Sequence, residues 1–305
     1  MQPQGVTLVT GASGVIGKAM KRLHKNELYV TSVDADLTDY DATERLLAML
    51  KPQTIIHLAA LSGGMQLSRE RPADLFTVNT LMAINLFKAA RRFGINRVGF
   101  ALSGAAYGGT SGRVARETEL HSSPILEEDF SYGYAKRGVE ILIQGMNKQY
   151  GMHSYSFVIN GALGRDMNFD PEKSIAVASL IRRIYKSKDN KDEIIVWGDG
   201  SPQRQYTWAA DLAKNISWCH EKQEAGTVLN IGTNEVVTIK SLAEMICTEF
   251  GVDPKRLFFD VSKSTGKSAQ LTDNSIFTSL SGFNFMPIQG AIKKICSEVD
   301  ENTFT

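Results

Sequence analysis

Short apolar runs alternate with stretches of helical spacing through the first half of the chain. VTLVT (6–10), ELYVTSV (27–33), TIIHLAA (54–60), RVGFALS (97–103) and SYSFVIN (154–160) read as five strands. Several are almost continuous in apolar residues, the pattern of strands covered on both faces. The first helix follows Gly17 and carries Met20 and Leu23. DATERLLAML (41–50) opens on an acidic first turn and stops before Pro52. Long helices are predicted over 73–93 and 130–150, each closed by a glycine, Gly94 and Gly151. Strict alternation of this kind predicts a parallel sheet with helices on both faces.

The rhythm changes after Gly164. PEKSIAVASLIRRIYK (171–186) and DLAKNISWCHEKQ (211–223) read as helices, EIIVWGDG (193–200) as a strand and turn, and TVLNIG (227–232) as a strand. TIKSLAEMICTEFG (238–251) opens on a threonine able to cap a helix and ends at Gly251. No repeat or low-complexity tract interrupts the chain.

Composition narrows the picture without redirecting it. The 305 residues, 43% hydrophobic and 22% charged, describe a soluble globular protein of one large domain or two ordinary ones. A net charge of +1 gives no electrostatic case for nucleic acid or an acidic membrane. The KSKDNKDE run (186–193) mixes both signs and reads as a solvated loop. No apolar run reaches the roughly 18 residues of a membrane span, and MQPQG leads straight into a strand, so the expected compartment is the cytoplasm. Cys219, Cys247 and Cys296 fall in helix-like stretches without metal-ligand spacing; they read as ordinary thiols in a reducing compartment, and no metal is expected.

Chemistry enters at GASGVIG, where Gly11, Gly14 and Gly17 stand between a strand and a helix. Glycines there admit a pyrophosphate close to the backbone, and the helix start supplies free N–H groups and a favourable dipole. Asp34, 17 residues past Gly17, is placed to bind a ribose 2′-hydroxyl, and Asp36 competes for that role. With no arginine at the end of this strand, the local residues lean toward NAD(H) over NADP(H). Further on, YGYAK sets Tyr132 and Lys136 four residues apart on one helix face. An ammonium beside a phenol favours the phenolate and lowers its pKa from about 10, which would let the tyrosine exchange a proton. Tyr134 lacks such a lysine, because position 138 is glycine. Ser103 closes the fourth strand.

TGASGVIG, HLAA, the strand-end Ser103 and YGYAK together resemble the extended short-chain dehydrogenase/reductases. The resemblance implies an α/β fold: a Rossmann-like doubly wound parallel sheet with a smaller C-terminal α/β substrate domain. Residues 1–164, with roughly 205–231, would form the dinucleotide-binding domain; roughly 165–204 and 232–305 would form the substrate domain. It implies a catalytic group of Ser103, Tyr132 and Lys136. It implies a cofactor site of Gly11, Ser13, Gly14, Val15, Ile16, Gly17, Asp34, Asp36, Leu37, Leu58, Ala59 and Ala60, with Tyr132 and Lys136. The long helices 73–93 and 130–150 match the pair that forms a homodimer interface in this superfamily.

NKQYG, NFDPEKS, LIRRIYK and VWGDGSPQRQYTWAADLA further resemble the GDP-L-fucose synthase family over nearly the whole chain. That resemblance implies a GDP-linked 4-keto-6-deoxy sugar as partner, with Ser103, Tyr132, Asn160, Arg183, Trp197 and Arg204 contacting it. It also favours NADP(H), against the local lean toward NAD(H). Family members invert C3 and C5 before reducing C4, using a cysteine two residues past the serine and a histidine after the NF-P segment. Here those positions are Ala105 and Ile175, neither of which can carry a proton. The expectation is a 4-reductase without epimerase activity. The small residues after Ser103, with Gly108 and Gly109, favour a heptose over a hexose. A bifunctional epimerase-reductase would need substitutes such as Tyr107, His121 or Asp166. A non-catalytic dinucleotide sensor is the reading from another class, and the presence of both Tyr132 and Lys136 argues against it.

Overall fold

A computed structural model describes residues 5–108, 113–170, 174–263 and 270–304. Gly109 and residues 171–173 of the NFDPEKS segment lie outside the described residues.

Six parallel strands form the central sheet. Four come early: β1 (Thr7–Thr10), β2 (Leu28–Val30), β3 (Thr54–His57) and β4 (Arg97–Ser103). Two come later, Tyr155–Ile159 and Val228–Ile231. Their order across the sheet is Val228–Ile231, Tyr155–Ile159, β4, β3, β1, β2. The order therefore reverses between β1 and β3, and ligands of such sheets bind in the crevice outside the strand ends at that reversal.

Side chains alternate between two cores because successive strand residues point to opposite faces. Leu8, Ile55, Phe100 and Val158 enter one core. It lies under α2 (Tyr40–Leu50), α4 (Pro72–Arg92) and α5 (Phe130–Tyr150), which supply Leu46, Leu86, Phe87, Val139 and Ile143. Val9, Ile56, Tyr155 and Phe157 enter the other, against Ala19 and Met20 of α1 (Val15–Leu23) and Leu212 and Ile216 of the Ala209–Lys222 helix. Between α2 and α4 comes the short α3 (Met65–Glu70). A third core joins the helices Ala176–Lys186, Ile239–Glu249 and Ile288–Glu298 through Ile181, Leu242 and Ile292. The doubly wound parallel architecture expected from the sequence is thus the one observed.

Local signals explain several boundaries. Asp39 caps α2 by accepting from the Asp41 and Ala42 amides, and Thr238 caps its helix by accepting from the Ser241 amide. Gly151 ends α5 in the left-handed region at φ 65°. β2 is shorter than the ELYVTSV run suggests; it stops at Val30, and Asp34 sits in the turn beyond it. All three cysteines are buried. Among the described residues no helix is long and apolar enough to cross a membrane.

Candidate active site

The glycine turn is built for close approach. Gly11 takes φ +73°, and a Cβ on Gly17 would lie 2.3 Å from the Gly11 carbonyl oxygen. Gly14 is the N-cap of α1 without a side-chain cap, so the helix start keeps its outward amides for a ligand. Ser13 and Gly14 are exposed there. These features fit a dinucleotide pyrophosphate.

At the ribose end the two candidate acids fold back on their own turn. Asp34 Oδ2 accepts from the Thr31 amide at 2.7 Å and the Thr31 hydroxyl at 2.9 Å. Asp36 Oδ1 accepts from the Thr38 amide at 2.9 Å and hydroxyl at 2.7 Å. Those hydrogen bonds hold both carboxyls below their ordinary range; the Lys21 charge adds a small contribution at Asp34. Leu37 is buried in the core, and its carbonyl accepts from Asn85.

β4 delivers Ser103 to the carboxyl end of the sheet, where the chain turns at once through Gly104–Tyr107. α5 brings Tyr132 and Lys136 to the same place. The Tyr132 hydroxyl stands near enough to Ser103 for the serine to favour its ionised form, and Ser103 Oγ accepts from the Ala105 amide at 3.3 Å. Lys136 is 5% exposed; its Nζ donates to the Ala101 carbonyl at 2.9 Å and stands 5.7 Å from the Tyr132 ring centre. Burial lowers the ammonium to about 8. Burial also pushes the phenol well above its usual value, the Asp129 charge adds to that rise, and the Ser103 side chain opposes it. The Tyr–Lys spacing alone predicts a lowered phenol. The balance runs the other way because Nζ is directed at a backbone carbonyl and the ring is desolvated. A phenol that keeps its proton at neutral pH is a donor.

Next to this group His57 is 2% exposed, with Nδ1 2.9 Å from Thr10 Oγ1. Burial first, then the Lys136 charge, bring it down to about 3, so it is neutral and serves packing, against Phe100 at 4.7 Å. Tyr134 packs on Phe130 at 4.9 Å and beneath Arg137, and it does not line the cleft over Ser103.

A cleft of about 810 Å³ opens over Ser103, Tyr132 and Lys136. Val15, Ile16, Leu58 and Ala60 line one side; Met167, Asn168 and Ile175 line another. Ala105 and Ile175, the positions that could have carried a thiol and an imidazole, both face it. The three substitute acid/base candidates do not line it and are engaged elsewhere. Tyr107 donates to Asn230 Oδ1 at 2.6 Å in the core. His121 Nε2 is 2.7 Å from Glu140. Asp166 pairs with Arg22 at 2.5 Å and Lys18 at 3.8 Å.

The expected nucleotide-sugar residues are more dispersed. Asn160 turns its amide nitrogen to Gln205, Gln270 and Thr272, each at 3.0 Å, while its neighbours Ile159 and Gly161 line the cleft. The Arg183 guanidinium donates to the Ile195 carbonyl, on the strand Ile194–Trp197 that presents Trp197 with 59% exposure. Arg204 lies on Gln203–Arg204, paired antiparallel with Val237–Thr238. Arg183, Trp197 and Arg204 lie outside the 810 Å³ cleft lining. Sequence reasoning missed Asp129 and Gln270, which line the cleft beside Tyr132 and meet at 2.9 Å. The acid three residues before Tyr132 was a local signal; its glutamine partner, 141 residues away, was not.

The family model described as "NAD dependent epimerase/dehydratase family" matches residues 7–232. A GDP-L-fucose synthase of Dictyostelium discoideum is 28% identical, over 97% of this chain and 95% of its own. A GDP-L-fucose synthetase structure from Naegleria fowleri bound to NADP aligns with a TM-score of 0.86 and 25% identity, covering 97% of this chain and 93% of that one. A GDP-mannoheptose C4 reductase structure from Campylobacter jejuni with NADP bound shares the fold at TM-score 0.84 and 22% identity, covering 97% and 98%.

Proposed function

The chain belongs to the NAD dependent epimerase/dehydratase family, and on that premise we propose that it is an NADP(H)-dependent reductase of a GDP-linked 4-keto-6-deoxy sugar that leaves C3 and C5 untouched. One observation carries the reading: the cleft floor keeps Ser103, Tyr132 and Lys136, while Ala105 and Ile175 fill the two places where inversion needs proton carriers. The GDP-L-fucose synthase relative and the NADP-bound synthetase structure support the GDP sugar and the cofactor. Asp34 and Asp36, held in their charged forms by hydrogen bonds within their own turn, would by themselves repel a 2′-phosphate. NAD(H) is the alternative cofactor. Arg183, Trp197 and Arg204 are read as the GDP side: guanidinium forks suit phosphate oxygens, and an exposed indole suits a base.

A nicotinamide dinucleotide bound in this cleft would supply the hydride that reduces C4. Tyr132 gives its proton to the oxygen that becomes negative at that carbon. Ser103 donates a hydrogen bond to the same oxygen, and such preorganised donation contributes on the order of 3 kcal/mol. Lys136, buried and cationic, steadies the site through Ala101 and is placed to hold the nicotinamide ribose. Because its ammonium is the charged form below about 8, kcat for reduction is expected to be level from neutral pH and to fall as pH rises through about 8. A pH–rate profile that stays flat through that range would remove Lys136 from this role.

Within the turn Gly104–Tyr107 it is Ala105 that lines the cleft, and its small side chain supports reading the sugar as a heptose; Gly108, which packs against Pro124, does not line the cleft. Turnover in heavy water tests the single-step claim. The product is expected to carry no deuterium at C3 or C5 by NMR, and its appearance there would sink the reading. Exposed Phe76, Leu81 and Ile84 on α4 and Ile141 on α5 support a homodimer formed through those helices.

A further inference from the structure

A second cavity of about 230 Å³ adjoins the cleft. The two share Ser68, Leu75, Asp129 and Tyr132 in their linings, so the smaller is a chamber beside the catalytic phenol, bounded on its solvent side by the exposed Glu127, Glu128 and Phe130. One wall comes from α3 and the start of α4, with Ser68, Pro72 and Leu75; the other is the segment entering α5, with Ser131. Asp129, 5% exposed, stands at the junction, and Gln270 fixes its Oδ2 from the cleft side at 2.9 Å. Nothing in the hydride or proton transfer uses this space.

Geometry limits what can enter. A sugar ring with C4 over Ser103 and Tyr132 carries its C3 and C5 substituents on either side of the phenol, and placing C5 on the Asp129 side sets its substituent against the chamber. In a six-carbon 6-deoxy sugar that substituent is a methyl group, which has no polar atom to offer. A seven-carbon sugar adds a hydroxymethyl group. The chamber exceeds many times over the roughly 15 Å³ that one water needs, so it has room for that group. A buried carboxylate held in place by a carboxamide is a directed acceptor for a hydroxyl donor.

We propose that this chamber is the subsite for the sugar chain beyond C5, with the terminal hydroxyl of a seven-carbon substrate donating to Asp129. The proposal rests on the 4-ketoreductase reading and assigns the residues that select chain length. Leu75 supplies the apolar wall for the methylene, and Gln270 positions the carboxylate.

The test compares kcat/KM for GDP-4-keto-6-deoxy-heptose and GDP-4-keto-6-deoxy-hexose in the wild type, Ser131→Met and Ser68→Met. The two variants fill the chamber from opposite walls. The wild type is expected to prefer the heptose, and each variant to lower the heptose-to-hexose ratio about tenfold. A wild type that prefers the hexose overturns the subsite even if neither variant folds. A heptose preference that both folded variants leave unmoved also overturns it, and the reductase reading stands. No turnover of either sugar by the wild type instead removes the reductase reading on which the proposal depends.

Discussion

Tyr132→Phe is expected to lower kcat for ketone reduction by about 10³-fold, within the range of positioned general acids, while dinucleotide affinity changes little. Among the described residues the phenol is the one group on the cleft floor arranged to release a proton. Its hydroxyl stands near Ser103, and its raised pKa keeps the proton in place until charge builds on the substrate oxygen. His57 cannot substitute, since it is neutral, buried and bonded to Thr10. Lys136 cannot reach the role without leaving the Ala101 carbonyl. Phenylalanine keeps the ring that walls the cleft and removes only the donor. The measurement is single-turnover oxidation of NADPH with a GDP-4-keto sugar. A variant retaining more than about a tenth of wild-type kcat would place the proton elsewhere.

The second large effect lies in the glycine turn. Gly17→Ala is expected to weaken dinucleotide binding at least about 100-fold, some 2.7 kcal/mol. The added methyl would sit 2.3 Å from the Gly11 oxygen and 2.7 Å from Ala12 Cα, both backbone atoms. The turn cannot retreat, because a Cβ position on Gly11 is already within 2.6 Å of the Ala59 amide. The strain must therefore open the cradle or tilt α1, and either displaces the amides meant for a pyrophosphate. Gly138→Ala, where nothing lies within 4 Å of the new atom, is the control. It should bind as the wild type does and gain roughly 0.5–1 kcal/mol of helix stability. Titrating NADPH fluorescence separates the two variants, and equal affinities would exclude the cradle as the binding determinant.

Much of the fold was legible because local and global preferences agree. RVGFALS reads as a strand from Arg97 to Ser103 and folds as one, because its alternate residues serve two cores at once. The 130–150 helix matches its reading to the residue, with Gly151 supplying the left-handed stop. The end of β2 was not legible. Nothing in ELYVTSV marks the point where Asp34 captures the Thr31 amide and ends the strand pairing. The environment of Tyr132 was half legible: helix spacing places Lys136 on its face, but not the Ala101 carbonyl that takes the ammonium. The Asp129–Gln270 contact and the side chamber depend on segments distant in sequence, so no window of the chain encodes them. The same holds for Asn160, whose three partners all lie beyond residue 200.

The turn after Ser103 has one more consequence, and it concerns descent. Arg137 grips that turn through the Ala106 carbonyl, with Nε at 2.9 Å and Nη2 at 2.7 Å. Lys136 is likewise anchored on the Ala101 carbonyl. Both contacts are made to main chain, so the side chains at 101, 105 and 106 carry no duty in holding the serine. Ala105 can therefore exchange with other small residues without disturbing the reduction machinery beneath it. A lineage could acquire or discard a proton carrier at that position in a single step, keeping ketone reduction intact while the inversion chemistry above it comes and goes.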